Sequence, residues 1–202
     1  MAPGWVETAV IQQFVLEKQR WIIDKLKKQS QRQAERPVRR YQAGEVFCLF
    51  DQPYTLVIEP GNKTDCYLSD NQLVVVLSTR IRPENHHKHV VAQVNGLITR
   101  LAQQYFEQRC TELAKWIDVN WRVVKIKPFK TRWGSCSSSG ELCFNFTLAF
   151  APTHYTEYVI VHELCHRRYM NHSPAFWQLV NQHYSAVDEA KLWFRQHGHT
   201  LG

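Results

Sequence analysis

Residues 162–172 read His-Glu-Leu-Cys-His-Arg-Arg-Tyr-Met-Asn-His, and no other segment restricts the fold of this chain as strongly. In an α-helix, residues four apart lie on one face, so His162 and His166 can aim two imidazoles at a single ion. Glu163 follows His162 by about 100° of helical rotation, too far round to coordinate but within reach of a water on that ion. Zinc with three protein ligands keeps a fourth position for water and lowers the pKa of that water toward about 7, which gives Glu163 the role of general base. The segment therefore demands a helix, an apolar environment for its other faces, and a third ligand from beyond its end.

The apolar environment is written upstream: Tyr155, Val159 and Val161–Leu164 form a helical run, with Thr153 suited to cap its start. Asn171 tolerates the left-handed conformation that ends helices, and Pro174 stops the same helix from continuing through the segment. A turn there can swing His172 back toward the ion, and His172 is the favoured third ligand. The offsets 0, +4 and +10 are those of metzincins, yet Tyr169 stands where metzincins carry glycine and no methionine follows Met170 to form their methionine turn. A gluzincin would instead draw a glutamate from a downstream helix. Glu189, beside Asp188, is the only glutamate after Glu163 and so the competitor to His172.

Several further stretches carry a resemblance. Arg132-Trp133-Gly134-Ser135-Cys136-Ser137, then Leu142–Leu148, Pro152, Tyr158–His166 and Asn171-His172-Ser173-Pro174-Ala175-Phe176-Trp177, resemble the YgjP-like, WLM-related metallopeptidases, and more distantly the SprT-type zinc domain. The similarity is strongest over about residues 85–198 and rests on general layout from Pro3 to Ser78. It implies a small zincin fold, zinc held by His162, His166 and His172, and Glu163 as catalytic acid/base. In SprT-type relatives the third histidine has a comparable His-x-Pro-x-Phe setting, which supports His172 over Glu189. One departure is visible: such proteins usually open with a basic β-hairpin, whereas the helical pattern here begins directly after Met1-Ala2-Pro3-Gly4.

With 202 residues and 44% apolar content the chain can support a well-buried core. No apolar run approaches the roughly 20 residues needed to span a bilayer, and no basic patch precedes an apolar segment at the start. A cytoplasmic protein with no membrane partner is expected, and its six cysteines, which show no CxxC pairing, are expected to be reduced. Cys165, between the two helical histidines, reads as a small buried hydrophobe. The net charge of +7 has a local centre at Arg122, Lys125, Lys127, Lys130 and Arg132, a patch that admits an anionic or nucleic-acid partner as well as simple solubility.

Along the chain, Val6, Val10, Phe14 and Trp21 with their neighbours predict an amphipathic helix over 5–29 that ends in charge, residues 25–40 forming a basic connector. Val46–Phe50, Tyr54–Ile58 and Leu73–Leu77 read as strands of an antiparallel sheet. Spacing from Val90 to Ile117 predicts a long helix backing the catalytic sheet. His86-His87-Lys88-His89 before it reads as a surface cluster, since neighbouring histidines at a helix start rarely meet on one ion. Val123–Ile126 and Glu141–Phe146 read as a hairpin around the Trp133–Gly140 loop, whose glycines suit tight turns and close backbone approach. Residues 141–146 are expected to form the free edge that would hold an extended peptide, with Asn145 either a substrate contact or a polar strand residue. Two helices, around Phe176–Val180 and Val187–Phe194, complete the chain and leave His183, His197 and His199 at the surface.

These readings combine into an α+β, small zincin-like metallopeptidase domain with an antiparallel sheet, an HExxH helix and an N-terminal helix plus β extension. The expected division is 1–84 for the helix and β portion and 85–202 for the catalytic domain. The expected activity is that of a Zn2+-dependent hydrolase, a metallopeptidase acting on a peptide or protein, with Glu163 catalytic and His162, His166 and His172 on the metal. Two alternatives share the residues: a nucleotide phosphohydrolase of the nucleoside triphosphate pyrophosphatase type, and a nucleic-acid-binding module with a structural zinc. No oxyanion donor is assignable among Arg132, Tyr169 and His183.

Overall fold

The computed structural model describes residues 7–201, and the chain divides into two units, Met1–Pro37 and Val38–Gly202. Trp5 and Val6 of the expected first helix, and the opening Met1–Gly4, lie outside the described residues. The first unit is one helix, α1 (Thr8–Ala34). It runs past the expected end at 29 because Lys27–Ala34 is rich in straight-chain residues that lose little freedom in a helix. Lys25–Arg32 are therefore helical rather than part of a connector. None of its residues is buried, and Phe14, Trp21 and Leu26 are exposed.

The second unit begins with β1 (Val46–Leu49), β2 (Gln52–Gly61), β3 (Asp65–Ser69) and β4 (Gln72–Ser78), arranged in the order β1-β2-β4-β3. The α+β class stands, but this sheet is mixed rather than wholly antiparallel: β2 and β4 run parallel, Leu56 opposite Leu73 and Ile58 opposite Val75. The physical reason is a skipped position. Residues 62–64 can reach about 10 Å, enough to carry the chain two strand spacings from β2 to β3, and β4 then returns through the gap. Pairing on both sides makes β4 a central strand, and Leu73, Val74, Val75 and Leu77 are all buried.

The turn between β1 and β2 is Phe50-Asp51, both at positive φ (50° and 65°), a conformation usually given to Asn-Gly. Tertiary contacts hold it. Phe50 stacks on Tyr105 at 4.3 Å between centroids, and its N–H donates to the Ala149 carbonyl at 2.9 Å.

Helix α2 (His86–Ile117) is the spine of the unit, packing on β3, β4 and the later strand β5 (Val123–Lys127). Its buried residues, Val90, Val94, Leu97, Ile98, Ala102, Phe106, Cys110 and Leu113 among them, recur at three and four, as the apolar spacing predicts. It ends where Asp118 takes the left-handed conformation and donates its N–H to the Ala114 carbonyl. The histidines at its start go separate ways: His86 Nε2 meets the Ile81 carbonyl at 2.9 Å and His87 Nε2 the Arg40 carbonyl at 3.1 Å.

The second sheet has the order β5-β7-β6, with β6 at Gly134–Cys136 and β7 at Glu141–Asn145. The expected hairpin of 123–126 with 141–146 is replaced by a parallel pair, Val123 opposite Glu141, because the intervening loop itself supplies β6 as the antiparallel partner of β7. Consequently β7 is the central strand, and β6 takes the edge that had been expected at 141–146. Phe144 on β7 stacks against Phe106 of α2 at 4.4 Å and ties this sheet to the spine.

Helices α3 (Thr153–Cys165), α4 (Pro174–His183) and α5 (Val187–His197) follow. Among the described residues, no helix is long and apolar enough to cross a membrane. The six cysteines carry free thiols, and Cys165 is fully buried, as its apolar neighbours imply.

Candidate active site

Helix α3 is apolar nearly all round, and Tyr155, Val159, Ile160, Val161 and Leu164 bury it against α2 and its neighbours. Its first residue, Thr153, does not cap it. Asp51 does: its carboxylate accepts from the Thr153 backbone N–H at 3.0 Å and from the Thr153 hydroxyl, satisfying a free donor at the helix start from 102 positions upstream. The strained Phe50-Asp51 turn thus fixes the entry of the helix that carries the motif.

Helix α3 ends at Cys165, and a turn through residues 166–168 replaces the continuation expected up to Asn171. Asn171 is not among the residues with positive φ, so reversal does not depend on a left-handed asparagine. Instead Ser173 caps α4, accepting from the Phe176 N–H at 3.3 Å, with Pro174 at the first helical position. Ser-Pro before an apolar run is a helix-start signal legible in the sequence.

This reversal brings His172 to the helical pair. The ligand atoms of His162, His166 and His172 all lie within 4.8 Å of one another, and the Nε2 atoms of His162 and His172 are 3.1 Å apart. Two nitrogens on a tetrahedral zinc at about 2.0–2.1 Å would stand about 3.3 Å apart, so the donor set fits such an ion. Glu189 lies elsewhere, accepting from the Tyr155 hydroxyl at 2.9 Å.

The second nitrogens matter as much. His166 Nδ1 lies 2.9 Å from the Tyr169 carbonyl, a bond that places the proton on Nδ1 and leaves the Nε2 lone pair for a metal. Nδ1 of His162 is buried and has no hydrogen-bond partner among the described residues. Burial, with His166, His172 and Lys191 acting in the same direction, pushes the His162 imidazole down to about 3, so it stays neutral and able to coordinate. His166 is also lowered, chiefly by burial. Phe176, fully buried, stacks on the His166 ring at 4.5 Å, and Trp177 lies nearly parallel to the exposed His172 at 5.6 Å. Aromatic faces thereby hold both rings in orientation.

Glu163 is 6% exposed. Burial raises its carboxyl to about 8, with the Arg132 charge opposing. Gly134 of β6 stands directly against it, a contact that the glycine-containing loop anticipated only as close backbone approach. Asn145 is committed to structure: its Nδ2 donates to the Phe129 and Arg132 carbonyls at 3.0 and 3.1 Å, and its Oδ1 accepts from the Thr147 N–H. Of the other candidates, His183 packs edge-on to Trp116 and Tyr169 contributes its backbone carbonyl. The basic patch is partly neutralised, since Lys125 and Lys127 both pair with Glu141.

A family model for YgjP-like metallopeptidase domains matches residues 1–197. The chain belongs to the YgjP-like metallopeptidase family. Membership covers almost the whole sequence, including the histidine triad and the β6 loop. Comparison with curated proteins finds no match. Among solved structures, the metallopeptidase zymogen jannalysin of Methanocaldococcus jannaschii is similar over 45% of this chain and 94% of its own, at 23% identity and a TM-score of 0.41. Abylysin of Pyrococcus abyssi, also a metallopeptidase zymogen, is similar over 45% and 93%, at 19% identity and a TM-score of 0.38.

Proposed function

We propose that this YgjP-like protein is a zinc-dependent peptidase in which His162, His166 and His172 hold the ion and Glu163 is the general acid/base. The observation that carries the reading is the convergence of three imidazoles, with the buried carboxylate of Glu163 next to His162 on α3. Zinc held by three protein ligands supplies Lewis acidity and lowers the pKa of water in its remaining position toward about 7. A structural zinc site is usually closed by four protein ligands, often cysteines, and this cluster offers three histidines and a base.

Glu163 takes a proton from the attacking water and delivers it to the departing amine as the peptide bond breaks. Burial raises the affinity of its carboxyl for protons, which suits delivery to the amine, and the positive charge of a bound ion would act in the opposite direction and favour the ionised form that accepts the proton. The low dielectric that produces the shift also strengthens its electrostatic effect on the reacting atoms. An extended substrate adds to the edge of β6, whose backbone groups at Gly134–Cys136 are, among the described residues, paired on one side only. This edge takes the place of the 141–146 segment, which is paired on both sides.

The test is an assay of the zinc-loaded protein against a random peptide library and a panel of nucleoside triphosphates. Peptide cleavage that Glu163→Gln lowers by about 10²–10⁴-fold is expected. Phosphate release without peptide cleavage would overturn the peptidase reading.

A further inference from the structure

Gly134 is not one of the glycines with positive φ, so its backbone conformation does not itself call for glycine. Space does. A Cβ at this position would lie 2.6 Å from Glu163 Oε1, 2.7 Å from Cγ and 2.9 Å from Cδ, and these are its three nearest heavy atoms. The volume that a side chain would occupy is filled by the Glu163 carboxylate arm. Among the described residues, no hydrogen bond holds that carboxylate, so its orientation rests on packing.

The strand cannot retreat to make room. The Asn145 N–H donates to the Trp133 carbonyl at 2.8 Å, Gly134 is in register with the buried Phe144, and the Asn145 side chain ties down the carbonyls of Phe129 and Arg132. Trp133 is itself locked in place. Its ring lies 4.9 Å from that of Phe194 and occupies the space where Gly198 lacks a Cβ, which would approach Trp133 Cζ2 to 2.5 Å. One glycine slot receives the indole that anchors the strand, and the other receives the carboxylate.

We infer that Gly134 is a positioning residue for Glu163: the missing Cβ on β6 fixes where the general base sits relative to the histidine cluster. The inference rests on the peptidase reading for its kinetic consequence, and on steric contact alone for its structural one. An added methyl group pushes the carboxylate away from β6, while the histidines, on other residues, stay in place.

The experiment is a double-mutant cycle of Gly134→Ala with Glu163→Ala, read by thermal denaturation, metal content and, for Gly134→Ala against wild type, steady-state kinetics. Gly134→Ala is expected to lower kcat by about 10–100-fold with bound metal unchanged. It is also expected to lower Tm by about 3–8 °C in the wild-type background and by much less when Glu163 is already alanine. Equal Tm losses in the two backgrounds, or an unchanged kcat, overturn the inference. If Gly134→Ala alone fails to fold, a folded double variant sustains the contact and an unfolded one overturns it. Should the wild type cleave no peptide, the peptidase reading falls, while the Tm comparison still decides the Gly134–Glu163 contact.

Discussion

Three imidazoles within 4.8 Å of one another would repel if charged, so their neutrality is the first condition of the site. Burial secures it at His162 and His166, and the Tyr169 carbonyl selects the tautomer at His166. The competition between His172 and Glu189 becomes a measurable difference at this scale. His172→Ala is expected to lose bound zinc in elemental analysis, whereas Glu189→Ala retains it and loses only the hydrogen bond from Tyr155. The opposite pattern would reassign the third ligand. The juxtaposition of positions 162, 163 and 166 was legible from spacing alone, because helical geometry relates them without reference to the rest of the chain. Gly134 was legible as a close-approach glycine, but its partner, 29 positions away, was not.

Elements divide more sharply. Long periodic helices such as α2 announce themselves, since each turn repeats the same requirement for an apolar face. The three-residue β6, spelled Gly-Ser-Cys, has little β preference and exists because β7 offers it a partner. The cap of α3 is likewise invisible locally, because Asp51 lies at the tip of a distant turn. Asp51→Ala removes that cap and is expected to destabilise the fold by about 1–2 kcal/mol in denaturant melts, with reduced zinc affinity following from a frayed α3 start. An unchanged denaturation midpoint would remove Asp51 from this role. Across β5 and β7, Lys125 holds the Glu141 carboxyl down to about 2, assisted by the Cys143 thiol and Lys127. A depressed carboxylate contributes stability that is present above its ordinary value near 4.5 and lost as pH falls through about 2. Glu141→Gln should therefore flatten the loss of stability between those pH values, and acid titrations with identical slopes for wild type and variant would refute the pairing.

At the scale of the whole molecule, a metal that binds only the folded state stabilises it by linkage, about 2.7 kcal/mol at a hundredfold excess over Kd. Zinc addition should accordingly raise the melting temperature by about 5–10 °C, and His172→Ala should abolish the rise. A zinc-independent melting temperature in wild type would argue against a site assembled by folding. The sequence by itself determined the helix that carries His162 and Glu163 and is capped at His166, the long helix behind it, and the α+β class, since these follow from periodicity within a few turns. Tertiary structure alone decided the strand that forms the free edge, the residue that caps the helix of the histidine motif, and the contact of Gly134 with Glu163. Those depend on which distant segments meet. Such meetings are set by loop closure and by the volume left between packed elements, quantities that no local pattern of residues contains.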